Sequence, residues 1–425
     1  MERVKKWILD NEPVVVMMLT VAVLRIPSLL EPLWYGDEGI YMLMGQALRH
    51  GLVWYKEIHD NKPPLLYLLA ALSGSLMWLR LILMGWNLVN VVVVWELCKR
   101  VLKNRKWQIA MSWLFALLTT LPLIEGNIAN GEIFMIMPVV AAMLWLLKEQ
   151  KESKSFGYFG VGFLLAVGFL FKVPAAFDAV AAGLWLVWIG LEKKRVEWRK
   201  LLWLILGFGI PVGISIVYYF VKGAGWEYIN AAFLQNVGYL SSWGGGAKKA
   251  LWENGLLMRG VAAAIMSGVV MVSLRKKPET QLVGLWLIWA VFGAFLSGRP
   301  YPHYLLQVVA PLVLGMGMLI ETKSKAVSLI MIVMIGALTL GIVEFKFYAY
   351  PVVSYYQKFL GVVSGKQNLE EYQNNFEGRV KRNYEVGRYI RMATTADEKI
   401  FVWGDEPTIY VVSERTPLGK YSVAY

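Results

Sequence analysis

The sequence predicts an all-α polytopic membrane protein, and three observations carry that prediction. Of its 425 residues, 57% are hydrophobic and only 17% charged, against roughly half and a quarter in an ordinary globular chain. Mean hydropathy is positive, at +0.49. Apolar runs long enough to cross a bilayer recur down most of the chain. A transmembrane β-barrel is excluded, because its strands would alternate apolar and polar residues over short segments. A disulfide scaffold is excluded by the single cysteine, Cys98. The net charge of +13 raises nucleic acid as a partner, and the placement of the basic residues answers that question below.

Taken in order, the chain opens with Arg3, Lys5 and Lys6 ahead of an apolar run over 14–30. That start resembles a signal peptide. However, the run is long, Arg25 interrupts it and no small-residue cleavage site follows. It reads as an uncleaved first membrane helix with a cytoplasmic N-terminus. Spans are expected at about 12–31, 80–98, 107–124, 133–148, 156–172, 174–191, 201–221, 256–274, 281–297, 303–320 and 326–343, eleven in all.

Residues 63–78 form a twelfth apolar stretch, and charge argues against its being a span. With eleven spans, the N-terminus and segments 99–106, 148–154, 192–200, 275–277 and 321–325 share one side and hold 21 of the 43 Lys and Arg residues. The short loops on the other side hold about eight. One more span at 63–78 would move every later loop across and break the positive-inside rule. The stretch is therefore expected to lie along the outer surface as an interfacial helix, as its Pro63-Pro64 start suggests. The basic excess is topological, and nucleic acid is not implied.

This gives a transmembrane domain over 1–343, with a first outer loop at 31–79. A small extracytoplasmic domain follows over 344–425. Its 365–400 stretch is polar, and its IFVWGDEPTIYVVSERTP run reads as strand-like patches around turn residues, making an α+β domain. Outer interfacial helices accompany the bundle.

Sorting polar residues by side gathers ionisable groups on the outer face. The first outer loop brings Asp37, Glu38, Glu57, His59, Asp60 and Lys62. Later outer segments add Glu125, Asn130 and Glu132, then Lys172, then Arg299, Tyr301, His303 and Tyr304. All three histidines fall on this side. For Asp37 and Glu38 the plainer reading is that they favour a helix N-terminus. Asp178 lies inside a span, where a carboxylate needs a partner or a function, and Lys172 is the expected partner. A transporter would concentrate charge at mid-membrane with repeat symmetry. Here the middles of the spans are nearly free of charge.

WYGDEGIYMLMGQALRHG followed by HDNKPPLLYLL, then IANGEIFMIMP, GFLFKVPA, SGRPYPHYLLQVVAPL and VWGDEPTIYVVSERTP, resemble the bacterial glycosyltransferase family 39-like membrane proteins. These are relatives of the protein O-mannosyltransferases and of the lipid A aminoarabinose transferase, all on the GT-C fold. The resemblance covers nearly the whole chain. It implies transfer of a sugar from a polyprenyl-phosphate donor to a glycan, lipid or protein acceptor outside the cytoplasmic membrane of a bacterium. It puts Asp37 at the reaction centre and Lys62 on the donor phosphate, with Arg299 and His303 or Tyr304 in the same phosphate region. Relatives generally continue past the point where this chain ends, so 344–425 is expected to be a short or truncated version of their outer domain. The loop at 238–249 (GYLSSWGGGAKK) has no counterpart and reads as a flap or a connector.

Under that implication an acceptor hydroxyl needs a base, a role given to Asp37. Glu38, Asp60 and Glu132 orient the acceptor or hold a metal. Fixed cations stabilise the leaving phosphate, the candidates being Lys62 and Arg299. Direct attack inverts the anomeric centre, and the prenyl tail lies along the spans and 63–78. Asp37, Glu38, His59 and Asp60 are the candidate ligands should a divalent Mg, Mn or Zn ion be required. The alternatives are a lipid-linked glycan polymerase or ligase, a transporter or flippase for a lipid-linked sugar without chemistry, and a membrane scaffold.

Overall fold

A computed structural model describes residues 11–150, 155–236, 255–275 and 277–423, so the loop at 238–249 lies outside the described residues. Its helices are α1 (Glu12–Leu30), α2 (Gly36–Arg49), α3 (Leu65–Ser73), α4 (Leu76–Val101), α5 (Arg105–Leu118), α6 (Gly131–Glu149), α7 (Gly157–Phe171), α8 (Ala175–Glu192), α9 (Trp198–Val221) and α10 (Gly225–Ile229). There follow α11 (Gly255–Ser273), α12 (Pro278–Ala294), α13 (Leu306–Glu321), α14 (Lys325–Glu344), α15 (Val352–Val363), α16 (Leu369–Asn374), α17 (Val380–Ala393) and α18 (Pro407–Ser413).

Each of the eleven expected spans contains a helix. Among the described residues, eight helices are long and apolar enough to cross a membrane. Helix α13 counts among the eight together with the turn ahead of it, as Pro302–Glu321; α5, α7 and α12 fall short of that length. The protein is a multi-pass membrane protein. Backbone polar groups have no water to bond inside hydrocarbon, so each run satisfies them internally by becoming a helix. Small residues let these helices approach: a Cβ on Gly162 in α7 would lie 2.1 Å from the Leu204 carbonyl oxygen of α9, and one on Gly207 would lie 2.1 Å from that of Phe159.

The stretch 63–78 is divided between two elements. Residues 65–73 form the nine-residue α3, far short of a span. Gly74 then turns the chain with φ 68°, and Ser75 caps α4 by accepting from the Trp78 amide at 3.3 Å. The next span therefore starts at Leu76, a few residues earlier than expected. Helix α3 packs backbone to backbone on α2, because Gly45 leaves no side chain between them: a Cβ there would lie 2.6 Å from the Ala71 amide nitrogen.

The C-terminal segment departs from the α+β expectation. Among the described residues it is built of α15 to α18, and its only β feature is an isolated bridge between Ile400 and Pro417. Within the run read as strands, Pro407–Ser413 becomes α18, and Pro407 presets its first turn. The apolar side chains Ile409 and Tyr410 are buried, and α18 packs on α2. There Gln46 donates to the carbonyls of Tyr410 and Arg415 at 3.3 and 3.1 Å. The segment braces the helix that carries Asp37.

Candidate active site

Helix ends and connections supply the site at one end of the bundle. Asp37 sits in the first turn of α2, Glu132 in the first turn of α6, and Lys172 at the C-terminal end of α7. Arg299 to Tyr304 lead through a short 3-10 turn into α13. These residues surround a cavity of about 710 Å³, whose lining includes Asp37, Asp60, Lys62, Glu132, Lys172, Arg299, Tyr301, His303 and Tyr304.

Lys62 is the hub. Its ammonium lies 3.8 Å from Asp37 and 3.5 Å from Asp60, and 5.1 Å from the centre of the Tyr41 ring. Two tyrosines hold its backbone: Tyr55 donates to its carbonyl at 2.9 Å, and the Tyr67 hydroxyl accepts its amide at 3.0 Å. Tyr67 in turn donates to Asp60 at 2.5 Å. Asp37 accepts from Tyr41, four residues on along the same helix face, at 2.9 Å.

Burial pushes the Asp37 carboxyl up, but Lys62, Lys172 and His303 together outweigh it and hold it at about 2. For Lys62 burial works downward, and Asp37 and Asp60 overcome it to raise the ammonium. Lys172 follows the same pattern, with burial opposed first by Glu132 and then by Asp37. The cavity therefore holds two charged ammonium groups beside an ionised carboxylate. Lys172 pairs with Glu132 at 3.0 Å and lies 5.6 Å from the centre of the Tyr304 ring.

A second cluster borders the cavity. His303 hydrogen-bonds the buried Glu125 through Nδ1, and Tyr35 donates to the same carboxylate oxygen at 2.9 Å. Glu125 reaches this position from a left-handed turn, φ 61°, after the 3-10 turn Pro122–Ile124.

Three expectations change. Glu38 does not line the cavity; successive helix residues point about 100° apart, so it faces the bundle while Asp37 faces the space. Both its oxygens take Arg80, at 2.5 and 3.1 Å, and one also accepts the Ala129 amide at 3.0 Å. Asp178 does not meet Lys172; it accepts from Trp286 at 2.6 Å and from Gln307 at 2.8 Å. The four candidate metal ligands also fail to converge. Glu38 is committed to Arg80, His59 lies against the Tyr421 ring, and Lys62 sits between Asp37 and Asp60. Among the described residues no group of three His, Cys, Asp or Glu side chains gathers as a metal site.

Glu38→Gln is accordingly expected to cost about 1–3 kcal/mol of stability, by weakening buried charge-assisted bonds. The protein that folds should keep the wild-type cavity. A lower melting temperature with unchanged ligand affinity would bear this out; unchanged melting with lost affinity would return Glu38 to the site.

Sequence reasoning missed Tyr35, Tyr41, Tyr55, Tyr67 and Gln307. Tyr41 alone had a signal, being four residues after Asp37 on a helix. Tyr55 and Tyr67 act within a few residues of Lys62 but through an irregular turn, and Tyr35 and Gln307 depend on contacts with distant segments.

Comparison with known proteins accords with this architecture. ArnT, an aminoarabinose transferase from Cupriavidus metallidurans in the apo state, superposes with a TM-score of 0.54 at 18% identity, over 95% of this chain and 84% of that one. The archaeal oligosaccharyltransferase AglB from Archaeoglobus fulgidus, in complex with an inhibitory peptide and a dolichol-phosphate, gives 0.48 at 12% identity, over 97% of this chain and 65% of that one. The ArnT likeness establishes the GT-C fold that the motifs implied. No curated protein matches in sequence. Residues 13–328 match the N-terminal domain of the competence-induced protein Ccs4, and the chain belongs to that family.

Proposed function

We propose that the protein is a membrane glycosyltransferase that moves a sugar from a polyprenyl-phosphate donor to an acceptor hydroxyl, with inversion. The observation that carries this reading is the cavity itself: a carboxylate and two ammonium groups, Asp37, Lys62 and Lys172, in one space of a GT-C fold. The donor phosphate is anionic, and fixed cations in a partly dry site favour the charge it gains on leaving. Lys62 and Lys172 take that role, with Arg299, Tyr301, His303 and Tyr304 along the same wall. The acceptor oxygen bonds to the anomeric carbon, and the bond from that carbon to the phosphate oxygen breaks with its electron pair going to the phosphate. The acceptor proton passes to Asp37. Asp60 and Glu132 hold the two lysines. The charge asymmetry of the loops supports a cytoplasmic N-terminus, with the site and C-terminal segment outside the cell membrane.

Donor binding also tunes the base. A phosphate engaging Lys62 and Lys172 diverts their charge from Asp37, whose affinity for a proton then rises toward the ordinary carboxylate range. Lys62→Ala is expected to weaken donor binding by about tenfold to a hundredfold, through loss of one charged hydrogen bond.

The pH profile follows from the sign of the Asp37 shift. The active form is the carboxylate, and kcat/KM reports the free enzyme, where Asp37 sits at about 2. Asp37 therefore gives no acid limb across the range in which the protein is folded. In Lys62→Ala the limb should move upward, because the strongest lowering influence is gone. A wild-type limb near about pH 6 would assign the base to another group.

The reading is tested with purified protein in nanodiscs and a panel of polyprenyl-phosphate sugars, following donor loss and free polyprenyl phosphate by mass spectrometry. Release of polyprenyl phosphate from one donor supports it. Binding without release from any donor would favour a transporter or flippase.

A further inference from the structure

Asp178 and Gln307 form a buried pair that the mechanism above does not use. Gln307 lies in the first turn of α13, four residues after His303, and lines the cavity beside Pro174, Gly293 and Ala294. Its Nε2 donates to Asp178 Oδ2 at 2.8 Å and to the Pro174 carbonyl at 3.1 Å. Both neighbours are acceptors, so only the NH2 end of the amide can sit there, and both its protons are used. Asp178 is itself fixed, because the Trp286 indole, a donor only, takes its other oxygen at 2.6 Å. Gly293 leaves the room the amide occupies: a Cβ there would lie 2.8 Å from Oε1. Among the described residues no donor reaches Oε1. The cavity wall thus presents one oriented acceptor, two residues along from Lys172 by way of Pro174.

We propose that Gln307 Oε1 reads one hydroxyl of the transferred sugar as a hydrogen-bond donor, and that Asp178 is the positioning residue that sets this polarity. The inference rests on the transferase reading, which puts the donor phosphate at Lys172 and so the attached sugar beside this wall. A site built to accept from a hydroxyl discriminates against analogues that cannot donate, because its own buried acceptor is then left unpaired. Asp178→Asn unsettles the arrangement. Trp286 still requires an oxygen, so the Asn NH2 turns to Gln307 and asks for its oxygen, while the Pro174 carbonyl still asks for its NH2. Gln307 Oε1 is then no longer held toward the cavity.

The test uses the full chain in nanodiscs and the polyprenyl-phosphate sugar that wild type binds. Each sugar hydroxyl is replaced in turn by fluorine, which cannot donate, and affinity is read by thermal shift and competition. At one position wild type should bind the fluoro analogue about tenfold more weakly. Asp178→Asn should discriminate between parent and analogue less than wild type, since no fixed acceptor faces that position, and Gln307→Leu should be indifferent there. If Gln307→Leu does not fold, the near-isosteric Asp178→Asn carries the comparison. Tolerance of fluorine by wild type at every position, or unchanged discrimination in Asp178→Asn, overturns the assignment while leaving the donor reading intact. Failure of every donor to bind overturns both.

Discussion

Asp37→Asn is expected to lower turnover by a factor of about 10²–10⁴, the range a positioned base contributes, while donor affinity changes far less. The substitution keeps the shape of the side chain and its hydrogen bond from Tyr41, but the amide cannot accept the acceptor's proton. Lys62 loses one of its two carboxylate neighbours and keeps Asp60, which lies at 3.5 Å. The ammonium therefore stays charged and available to phosphate. Parallel binding and turnover measurements on both proteins check this. A variant with normal turnover would remove Asp37 from the role of base.

Arg80→Ala should give the largest loss of stability, about 3–5 kcal/mol, the cost of leaving a buried charge without its partner. The Arg80 side chain is 1% exposed and those of Glu31 and Glu38 are 0% exposed. Its guanidinium also donates to the carbonyls of Ser28 and Glu31 at 2.7 and 3.0 Å. It therefore fastens the end of α1, the first turn of α2 and the start of α4 into one unit. Glu31 is further tied to the C-terminal segment, since Tyr355 donates to it. Removing Arg80 strands two carboxylates and loosens the turn that aims Asp37. Thermal melting in detergent measures the loss. The double variant Arg80→Met with Glu38→Gln should recover part of it, because one stranded carboxylate, Glu31, then remains in place of two.

The helical frame was legible in the sequence because a bilayer admits few solutions: a run of 20 or so apolar residues is forced into a helix. The asymmetry of Lys and Arg then rejected 63–78 as a span, and the nine residues of α3 accord with that. The grouping around the cavity was legible where a motif put ionisable residues at a helix end, as at Asp37 and Lys172, or in the turn just ahead of one, as at Lys62. Glu38 was misread because its type and neighbour suggested catalysis, whereas its direction on the helix decides its partner. That direction follows from helix geometry alone and was available in advance. Residues 407–413 were misread for a different reason. Their β-branched and aromatic composition favours a strand, but no neighbouring strand exists among the described residues, and packing against α2 decides the outcome. The clamp of Tyr55 and Tyr67 on Lys62 closes within a few residues but through an irregular turn with no repeating period, and the pairing of Asp178 with Gln307 joins segments far apart in the chain. No local pattern encodes them.

The most direct test of the central claim is a single turnover. Wild type and Asp37→Asn, each saturated with the donor found in the panel, are mixed with acceptor, and free polyprenyl phosphate is followed by mass spectrometry. The account predicts release by wild type and retention of intact donor on Asp37→Asn over the same interval. Equal release from both proteins, or donor that leaves wild type only intact, would contradict it.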